Sequence, residues 1–221
     1  LAVALLNTPW PPPTGLLSFT NKHNVYSLPS GRESFITFFV YGVENRRFKM
    51  HVTLIGTSKK ATDIDVVRMM NAAANCVIGG HTVVSGGAPQ MDSAAERGVD
   101  IMREINPDRV YHKKIILPWN GFEGRKEDGK DFFLLDETMT QVSERLLEAC
   151  GIVWYKALSP GIKKLYARNG FQILLPDYSK TDVVGWIAPE DKHGLPKGGT
   201  RIAVLMAQSM NIPTFNLRTK L

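Results

Sequence analysis

The sequence of 221 residues contains only two cysteines, Cys76 and Cys150. Both lie in apolar stretches that predict the interiors of helices. A chain of this length buries a sizeable core without disulfide staples, so we interpret the cysteines as small buried hydrophobic residues in a reducing compartment. No cysteine and histidine pair has the spacing of zinc ligands, and the residues indicate neither a metal nor another cofactor.

Long apolar runs are also missing, and no stretch of the sequence is long enough to span a bilayer. The short apolar start, residues 1–6, has no basic segment and meets prolines soon afterwards, which is unlike a secretory signal. The formal net charge is +6, and about half of this excess lies in the first 50 residues. Such an excess suits an anionic partner but is below the dense basic face of a dedicated duplex-DNA binder. We expect a cytoplasmic protein with no membrane partner.

Residues 1–49 differ in composition from the rest of the chain, being rich in proline, serine, asparagine and glycine. Their one apolar stretch is 35–41. Two interpretations stay open. Either Met50 is the native start and the upstream residues are an extension or a product of reading-frame choice, or the segment is an ordered arm with a hairpin at 35–41. The expected organisation is an N-terminal extension of uncertain status over 1–49 and one domain over 50–221.

From Met50 onward, strand and helix signals alternate along the chain. Apolar, β-branched runs predict strands at 51–55, 81–84, 113–117, 182–187 and 212–216. Helical periodicity predicts helices at 62–77, 92–105, 136–150, 160–173 and 200–210, and the polar segment 121–129 is predicted as a loop. This alternation predicts a Rossmann-like three-layer α/β/α fold with a mostly parallel sheet of about five strands.

Thr62 is the predicted N-cap of the first helix, with acidic residues in the first turn where they suit the helix dipole. The apolar stripe that we expect this helix to bury consists of Ile64, Val67, Met70, Ala74 and Val77.

Several turns rich in glycine or other small residues follow the predicted strands, at the edge where open α/β sheets bind ligands. Glycine lets the backbone approach a ligand closely, and a helix start offers unpaired N–H groups and a positive dipole end. We therefore predict binding of a phosphate-bearing ligand, a nucleotide or nucleotide-derived molecule. The alternative is that the glycines merely permit tight turns. The candidate ligand-binding residues are Gly56, Thr57, Ser58, Ser85, Gly86, Gly87, Asp92, Lys197, Gly198, Gly199, Thr200 and Arg201.

Some of these side chains have two interpretations. Asp92 is suited to hydrogen-bond a ribose hydroxyl, or to cap its helix. Thr200 is suited to contact a phosphate, or to cap the last helix. Trp119 is suited to stack on a base, or to lie half-buried beside a proline. Basic residues flank two of the turns and favour an anion; they are Lys59, Lys60, Lys197 and Arg201.

Catalytic motifs are missing from the sequence. It contains no Gly-x-Ser-x-Gly elbow, no Gly-x-Gly-x-x-Gly fingerprint and no Walker A loop, which argues against nucleophilic hydrolysis, hydride transfer and NTP hydrolysis. We assign no catalytic residue and favour a binding protein over an enzyme.

The segments 55–62 and 83–98, together with Gly198-Gly199-Thr200, resemble the Rossmann core of the superfamily that unites DNA-processing protein A (Smf) with the LOG proteins, known as SLOG. The resemblance covers about residues 50–217 and is closest to an uncharacterised branch of DprA-like proteins common in bacteriophages. It implies a host cytoplasmic location if a phage encodes the chain. The marks of that branch are Leu117-Pro118-Trp119, Gly121-Phe122, Leu158-Ser159-Pro160, Ala167-Arg168-Asn169 and the segment 212–217.

The resemblance implies two further functions, and the sequence departs from the motif of each. DNA-processing proteins carry Arg-Gly where this chain has Pro89 and Gln90, which weakens the implied single-stranded DNA binding in recombination. LOG-type phosphoribohydrolases carry a catalytic glutamate after their glycine motif, and no glutamate follows Thr200 here. If the chain is nevertheless an enzyme of that kind, Asp92 and Glu96 are the candidate carboxylates. Arg168 is expected to be an anion-facing or a structural arginine, and a homodimer is possible.

Overall fold

The computed structural model describes residues 49–218, which form one parallel sheet covered by helices on both faces. The strands are β1 (His51–Gly56), β2 (Thr82–Ser85), β3 (His112–Leu117), β4 (Phe132–Leu134), β5 (Val183–Ile187) and β6 (Thr214–Asn216). They are arranged in the order β4-β3-β2-β1-β5-β6, and every pairing is parallel. The Rossmann-like three-layer fold is therefore confirmed, with six strands rather than about five.

The additional strand, β4, is only three residues long and lies at the edge of the sheet, where it pairs with Ile115–Leu117 of β3. It follows the polar segment 121–129, and three residues are too few to show a period-two pattern. The same segment contains a short 3-10 helix, Phe122–Gly124, and is otherwise irregular, as predicted.

The helices are α1 (Asp63–Ile78), α2 (Met91–Ile105), α3 (Glu137–Ala149), α4 (Pro160–Phe171) and α5 (Gly199–Ser209), with a second 3-10 helix at Val153–Ala157. One face of the sheet, including Val52 and Leu54, packs against α1 and α2. The other face packs against α3, α4 and α5, with Ile55 among its contacts. Alternate residues of β1 thus enter opposite cores, which explains why this strand is apolar almost throughout.

The helix starts follow their sequence signals. Thr62 caps α1 with a reciprocal capping box to Asp65, and the Asp136 side chain accepts a hydrogen bond from the Met139 amide at the start of α3. Pro160 occupies the first turn of α4, where its missing N–H costs nothing.

The predicted buried stripe of α1 was partly wrong. Ile64 and Val67 are 59% and 37% exposed, whereas Met69 and Ala73 are fully buried. The reason is the close approach of α2: a Cβ added at Gly98 would overlap the α1 backbone and lie 2.9 Å from the Ala73 methyl. This contact turns the Met69 and Ala73 side of α1 toward the core.

The two cysteines are both free thiols. Cys76 is fully buried in the core beneath α1, as expected. Cys150 is only half-buried, and its Sγ lies 3.2 Å from the Ser209 hydroxyl.

The chain order reverses between β1 and β5. From β1 the chain moves outward through β2, β3 and β4, and then returns to place β5 on the other side of β1. In open α/β sheets such a reversal leaves a crevice outside the carboxyl ends of the two strands. The Thr57 amide donates to the Ile187 carbonyl at 2.9 Å across this point, which joins the two strand ends.

Residues 1–48 and 219–221 lie outside the described residues, and so does the predicted hairpin at 35–41. Met50 lies directly before β1, and its carbonyl accepts a hydrogen bond from the Thr82 amide at 2.8 Å. None of the helices within 49–218 has the length and apolar character to cross a membrane.

Candidate functional site

A cavity of about 480 Å³ lies at the reversal point between β1 and β5, within the size range of small-molecule sites. Three segments form most of its wall: the turn after β1, the start of α5 with the two residues before it, and one side of α4. The loop after β3 and the segment before α2 complete it. Its lining residues are Ile55, Gly56, Thr57, Ser58, Lys59, Ala88, Pro89, Asp92, Phe122, Glu123, Leu165, Tyr166, Arg168, Asn169, Lys197, Gly198, Gly199 and Thr200.

The turn after β1 is held by hydrogen bonds between the Thr57 side chain and the Lys59 backbone. The Thr57 hydroxyl donates to the Lys59 carbonyl and accepts from the Lys59 amide at 3.2 Å. Gly56 leaves no space for a side chain, because a Cβ there would overlap the Ile187 carbonyl and lie 2.6 Å from Met91. The Ser58 amide has no hydrogen-bond acceptor within 49–218 and remains available to a ligand.

The start of α5 offers a second set of amides. Gly198 has a positive φ of 71°, which glycine adopts without strain, and it provides no side-chain cap. The amides of Gly199 and Thr200 consequently have no acceptor among the residues that the structure describes. These N–H groups and the positive end of the α5 dipole favour a negatively charged group.

The loop before α5 is held by Asp191. Its carboxylate accepts from the backbone amides of His193 and Leu195 at 2.8 and 3.1 Å, and Arg201 donates to it at 2.6 Å. These contacts lower the pKa of Asp191, and the hydrogen bond from the His193 amide has the largest effect. Arg201 therefore stabilises the loop through Asp191 and does not line the cavity.

The second glycine turn lies behind the cavity wall. The Ser85 hydroxyl is fully buried and donates to the Leu54 carbonyl at 2.7 Å, which ties β2 to β1. The Arg168 guanidinium occupies the space in front of Gly86, and the Arg125 side chain lies 3.2 Å from the Cβ position of Gly87. These two arginines separate the turn from the lining, to which this part of the chain contributes Ala88 and Pro89 instead.

Asp92 and Arg168 form a buried ion pair beneath the cavity. Arg168 Nη1 lies 3.1 Å from Asp92 Oδ2, and the side chains are only 6% and 1% exposed. The Asp92 carboxylate also accepts from the amides of Gly56 and Ala88 at 3.3 and 3.4 Å. Burial raises the pKa of Asp92 and lowers that of Arg168, while the attraction between the two charges acts in the opposite direction on both.

The interpretation of Asp92 as the cap of its helix was wrong. Gln90, not Asp92, holds the N-cap position of α2, and Asp92 is the second residue of the helix. Although Asp92 belongs to the lining, its carboxylate is already satisfied by Arg168 and two amides. Arg168 thus has a structural contact with the second turn, since it also donates to the Gly86 carbonyl at 2.6 Å.

The loop after β3 contributes Phe122 and Glu123. Arg125 fastens this loop to α2 by donating to Glu96 at 2.7 Å and to the Ser93 hydroxyl at 3.1 Å. Trp119 packs edge-on against Phe122 with ring centroids 5.1 Å apart and does not itself line the cavity.

Charge in the cavity is set by a few side chains. Lys59 and Lys197 both line it, and neither has an ion-pair partner within 49–218. Glu123 provides an opposing carboxylate, while Asp92 is neutralised by Arg168. In the described part of the chain, no group of three or more histidine, cysteine or acidic side chains could hold a metal ion.

Tyr166 was missed by sequence analysis, and Asn169 was noted only as part of a motif. Asn169 Nδ2 donates to the Gly199 carbonyl at 3.0 Å and so fixes the start of α5 against α4. Its Oδ1 is buried and has no donor among the described residues. Spacing along α4 could have indicated this face, because Leu165, Tyr166 and Asn169 are separated by helical intervals from Ile162.

No protein family model and no curated protein matches the chain. Among solved structures it is similar to DNA processing protein A from Helicobacter pylori, the subject of a structural study of its single-stranded DNA binding mode. The TM-score is 0.51 at 18% sequence identity, and the match covers 80% of this chain and 69% of that one. The fold resembles that of DNA processing protein A. The likeness agrees with the sequence motifs at the level of fold.

Proposed function

We propose that this protein binds a phosphate-bearing small molecule, a nucleotide or nucleotide derivative, in the cavity between the β1 turn and the start of α5. One observation carries the proposal. The free amides of Ser58, Gly199 and Thr200 belong to two different turns that line the same cavity, together with the unpaired Lys59 and Lys197. Backbone amides and cations arranged in this way favour a phosphate group.

The second glycine turn has a supporting role in this proposal. Because Arg168 and Arg125 lie in front of Gly86 and Gly87, that turn positions the floor of the cavity and leaves phosphate contacts to the other two. Gly56, Thr57, Ser58, Lys197, Gly198, Gly199 and Thr200 are the proposed ligand-binding residues.

Binding without turnover fits the state of Asp92 and Glu96, the two carboxylates that the sequence offered as catalytic candidates. Asp92 is paired with Arg168, and Glu96 is paired with Arg125 and lies 3.5 Å from the buried Lys113 ammonium. A general acid or base must reach the bond that it acts on, and neither carboxylate projects freely into the cavity.

The experiment is isothermal titration of the protein with AMP, with ribose 5-phosphate, and with adenosine as the matched compound without phosphate. AMP should bind and adenosine should bind far more weakly. Lys197→Gln and Lys59→Gln should each weaken AMP binding about three- to tenfold, whereas Lys180→Gln, an exposed lysine before β5, should not. Equal affinities for AMP and adenosine, or no binding at millimolar AMP, would contradict the proposal.

Single-stranded DNA is a second candidate ligand, favoured by the likeness in fold to DNA processing protein A. The same amides and lysines are suited to a backbone phosphate of a strand. If Lys59 and Lys197 are the phosphate contacts, the slope of log affinity against log salt should be about −1.4. Fluorescence anisotropy of a labelled oligonucleotide measures this slope, and Lys197→Gln should reduce it by about 0.7. Failure to bind the oligonucleotide at low salt would eliminate this candidate.

A further inference from the structure

An aromatic surface continues outward from the cavity along α4. Tyr166 lines the cavity, and its Cε1 lies 3.9 Å from the position that a Cβ on Gly199 would occupy. The Trp154 ring packs against Tyr166 at right angles, with centroids 5.6 Å apart. The Tyr166 ring therefore lies beside the start of α5, and the Trp154 ring lies next to it, outside the cavity lining.

Packing in the core accounts for Tyr166 only in part and leaves several apolar side chains near it exposed. Trp154 is 52% exposed, and its neighbour in sequence, Val153, is 59% exposed. Ile162, one turn before Tyr166 on α4, is 40% exposed. An exposed tryptophan that packs on a tyrosine of the cavity lining is suited to bind the apolar part of a ligand. The position of this surface, adjoining a cavity with two unpaired lysines, indicates a ligand with an anionic end and a flat apolar end.

We propose that the ligand carries a nucleobase, which stacks on the Tyr166 ring beside the perpendicular Trp154 ring, while its phosphate binds the amides of Ser58, Gly199 and Thr200. This inference rests on the proposed phosphate site and adds the surface that holds the base of the proposed nucleotide. Every nucleobase has a π face, and stacking on tyrosine or tryptophan is a large contribution to nucleotide binding. A sugar phosphate without a base gains nothing from these rings.

The Tyr166 hydroxyl adds a polar contact at the edge of this surface. It has no hydrogen-bond partner within 49–218, and burial raises the pKa of Tyr166. The hydroxyl is therefore protonated at neutral pH and is able to donate to an acceptor of the base or the sugar.

The test compares AMP with ribose 5-phosphate, which shares the phosphate and sugar but lacks the base. Wild-type protein should bind AMP about tenfold or more tightly than ribose 5-phosphate in isothermal titration. Tyr166→Leu and Trp154→Leu should each reduce AMP affinity about five- to tenfold and leave ribose 5-phosphate affinity nearly unchanged. Tyr178→Leu is the matched control, because Tyr178 is 48% exposed, packs edge-on against Phe171 and does not line the cavity.

Different outcomes separate this inference from the phosphate site. If AMP and ribose 5-phosphate bind equally and Tyr166→Leu affects neither, the phosphate site stands and the base-stacking inference is overturned. If neither compound binds, the phosphate site itself fails. The wild-type affinity ratio decides the inference even if a variant does not fold. If Trp154→Leu changes the oligomeric mass and leaves the affinity ratio unchanged, the surface is a contact between copies of the chain and the inference is wrong.

Discussion

Arg168 on α4 and Asp92 on α2 join the two helical layers of this protein across the edge of the sheet. The same guanidinium nitrogen lies 3.1 Å from the Asp92 carboxylate and 2.6 Å from the Gly86 carbonyl. Because both side chains are almost completely buried, the pair fixes the floor of the cavity, with little competition from solvent. The predictions below begin from this contact.

Replacing Arg168 by methionine should destabilise the fold strongly. Asp92 would then be a buried carboxylate without its cationic partner, a change that typically costs about 3–5 kcal/mol. Arg168→Met with Asp92→Asn should be less destabilised than Arg168→Met alone, because no charge is then left unpaired. Urea unfolding of the wild type, both single variants and the double variant measures the coupling. Strictly additive effects would show that the pair does not interact.

Gly86→Ala should also destabilise the protein, for steric reasons alone. The new methyl group would overlap the Arg168 guanidinium and lie 2.6 Å from the Gln172 amide nitrogen, so Arg168 must move. Overpacking of this kind costs about 1–3 kcal/mol, and disturbance of the ion pair adds to it. Gly161→Ala is the control, since Gly161 lies in α4 with no neighbour within 4 Å of its Cβ position. Urea unfolding of Gly161→Ala should give equal or slightly higher stability; equal losses at the two positions would refute the steric argument.

Asp191→Asn should weaken AMP binding without greatly changing global stability. The variant loses the ionic contact with Arg201 and weakens the bonds that the carboxylate accepts from His193 and Leu195. The loop that carries Lys197 and Gly198 is then less ordered, and binding must order it. We expect a loss of about three- to tenfold in affinity by isothermal titration. Glu190→Gln, one residue earlier, serves as the control, and an equal loss there would remove the specific role of Asp191.

Thermal stability should decrease as the pH falls below about 6.5, through protonation of His51 and His81. Burial lowers the pKa of both histidines from the ordinary value of 6.5. A base with a lowered folded-state pKa binds fewer protons in the folded than in the unfolded state. Its contribution is therefore complete above pH 6.5 and is lost as the pH falls through the folded-state pKa.

The measurement is the unfolding midpoint of wild type, His81→Gln and His51→Gln between about pH 7.5 and pH 5. Each substitution should make the decrease smaller, and comparison with the wild type separates the histidines from the carboxylates. His193→Gln, in an exposed loop, is the control and should follow the wild type. A wild-type midpoint that is constant or rises toward pH 5 would contradict the assignment.

Much of the architecture could be predicted from the sequence because its signals are local. The apolar runs of β1 and β5, the Thr62 cap and the Pro160 start each depend on a few neighbouring residues, and all were located correctly within a residue or two. β4 was missed because three residues show no period. The buried face of α1 was misplaced because Gly98, on another helix, determines it.

The candidate site was less predictable, because it depends on contacts between distant segments. Sequence reasoning offered the β1 turn, the Ser85-Gly86-Gly87 turn and the start of α5 together as ligand contacts. In the structure, the β1 turn and the start of α5 line the same cavity, and the Ser85-Gly86-Gly87 turn does not. The long side chains of Arg168 and Arg125 cover the second turn, and they come from 82 and about 40 residues away along the chain. Tyr166 likewise reaches the cavity only through the packing of α4 against α5.

The most direct test of the central claim is the titration of ¹⁵N-labelled protein with AMP, followed by the backbone amide resonances. The account predicts the largest shifts at Ser58, Gly199 and Thr200, whose amides have no acceptor within 49–218. Gly86 and Gly87, behind Arg168 and Arg125, should shift much less. Largest shifts at Gly86 and Gly87, or saturation with AMP that leaves Gly199 and Thr200 unmoved, would contradict the account.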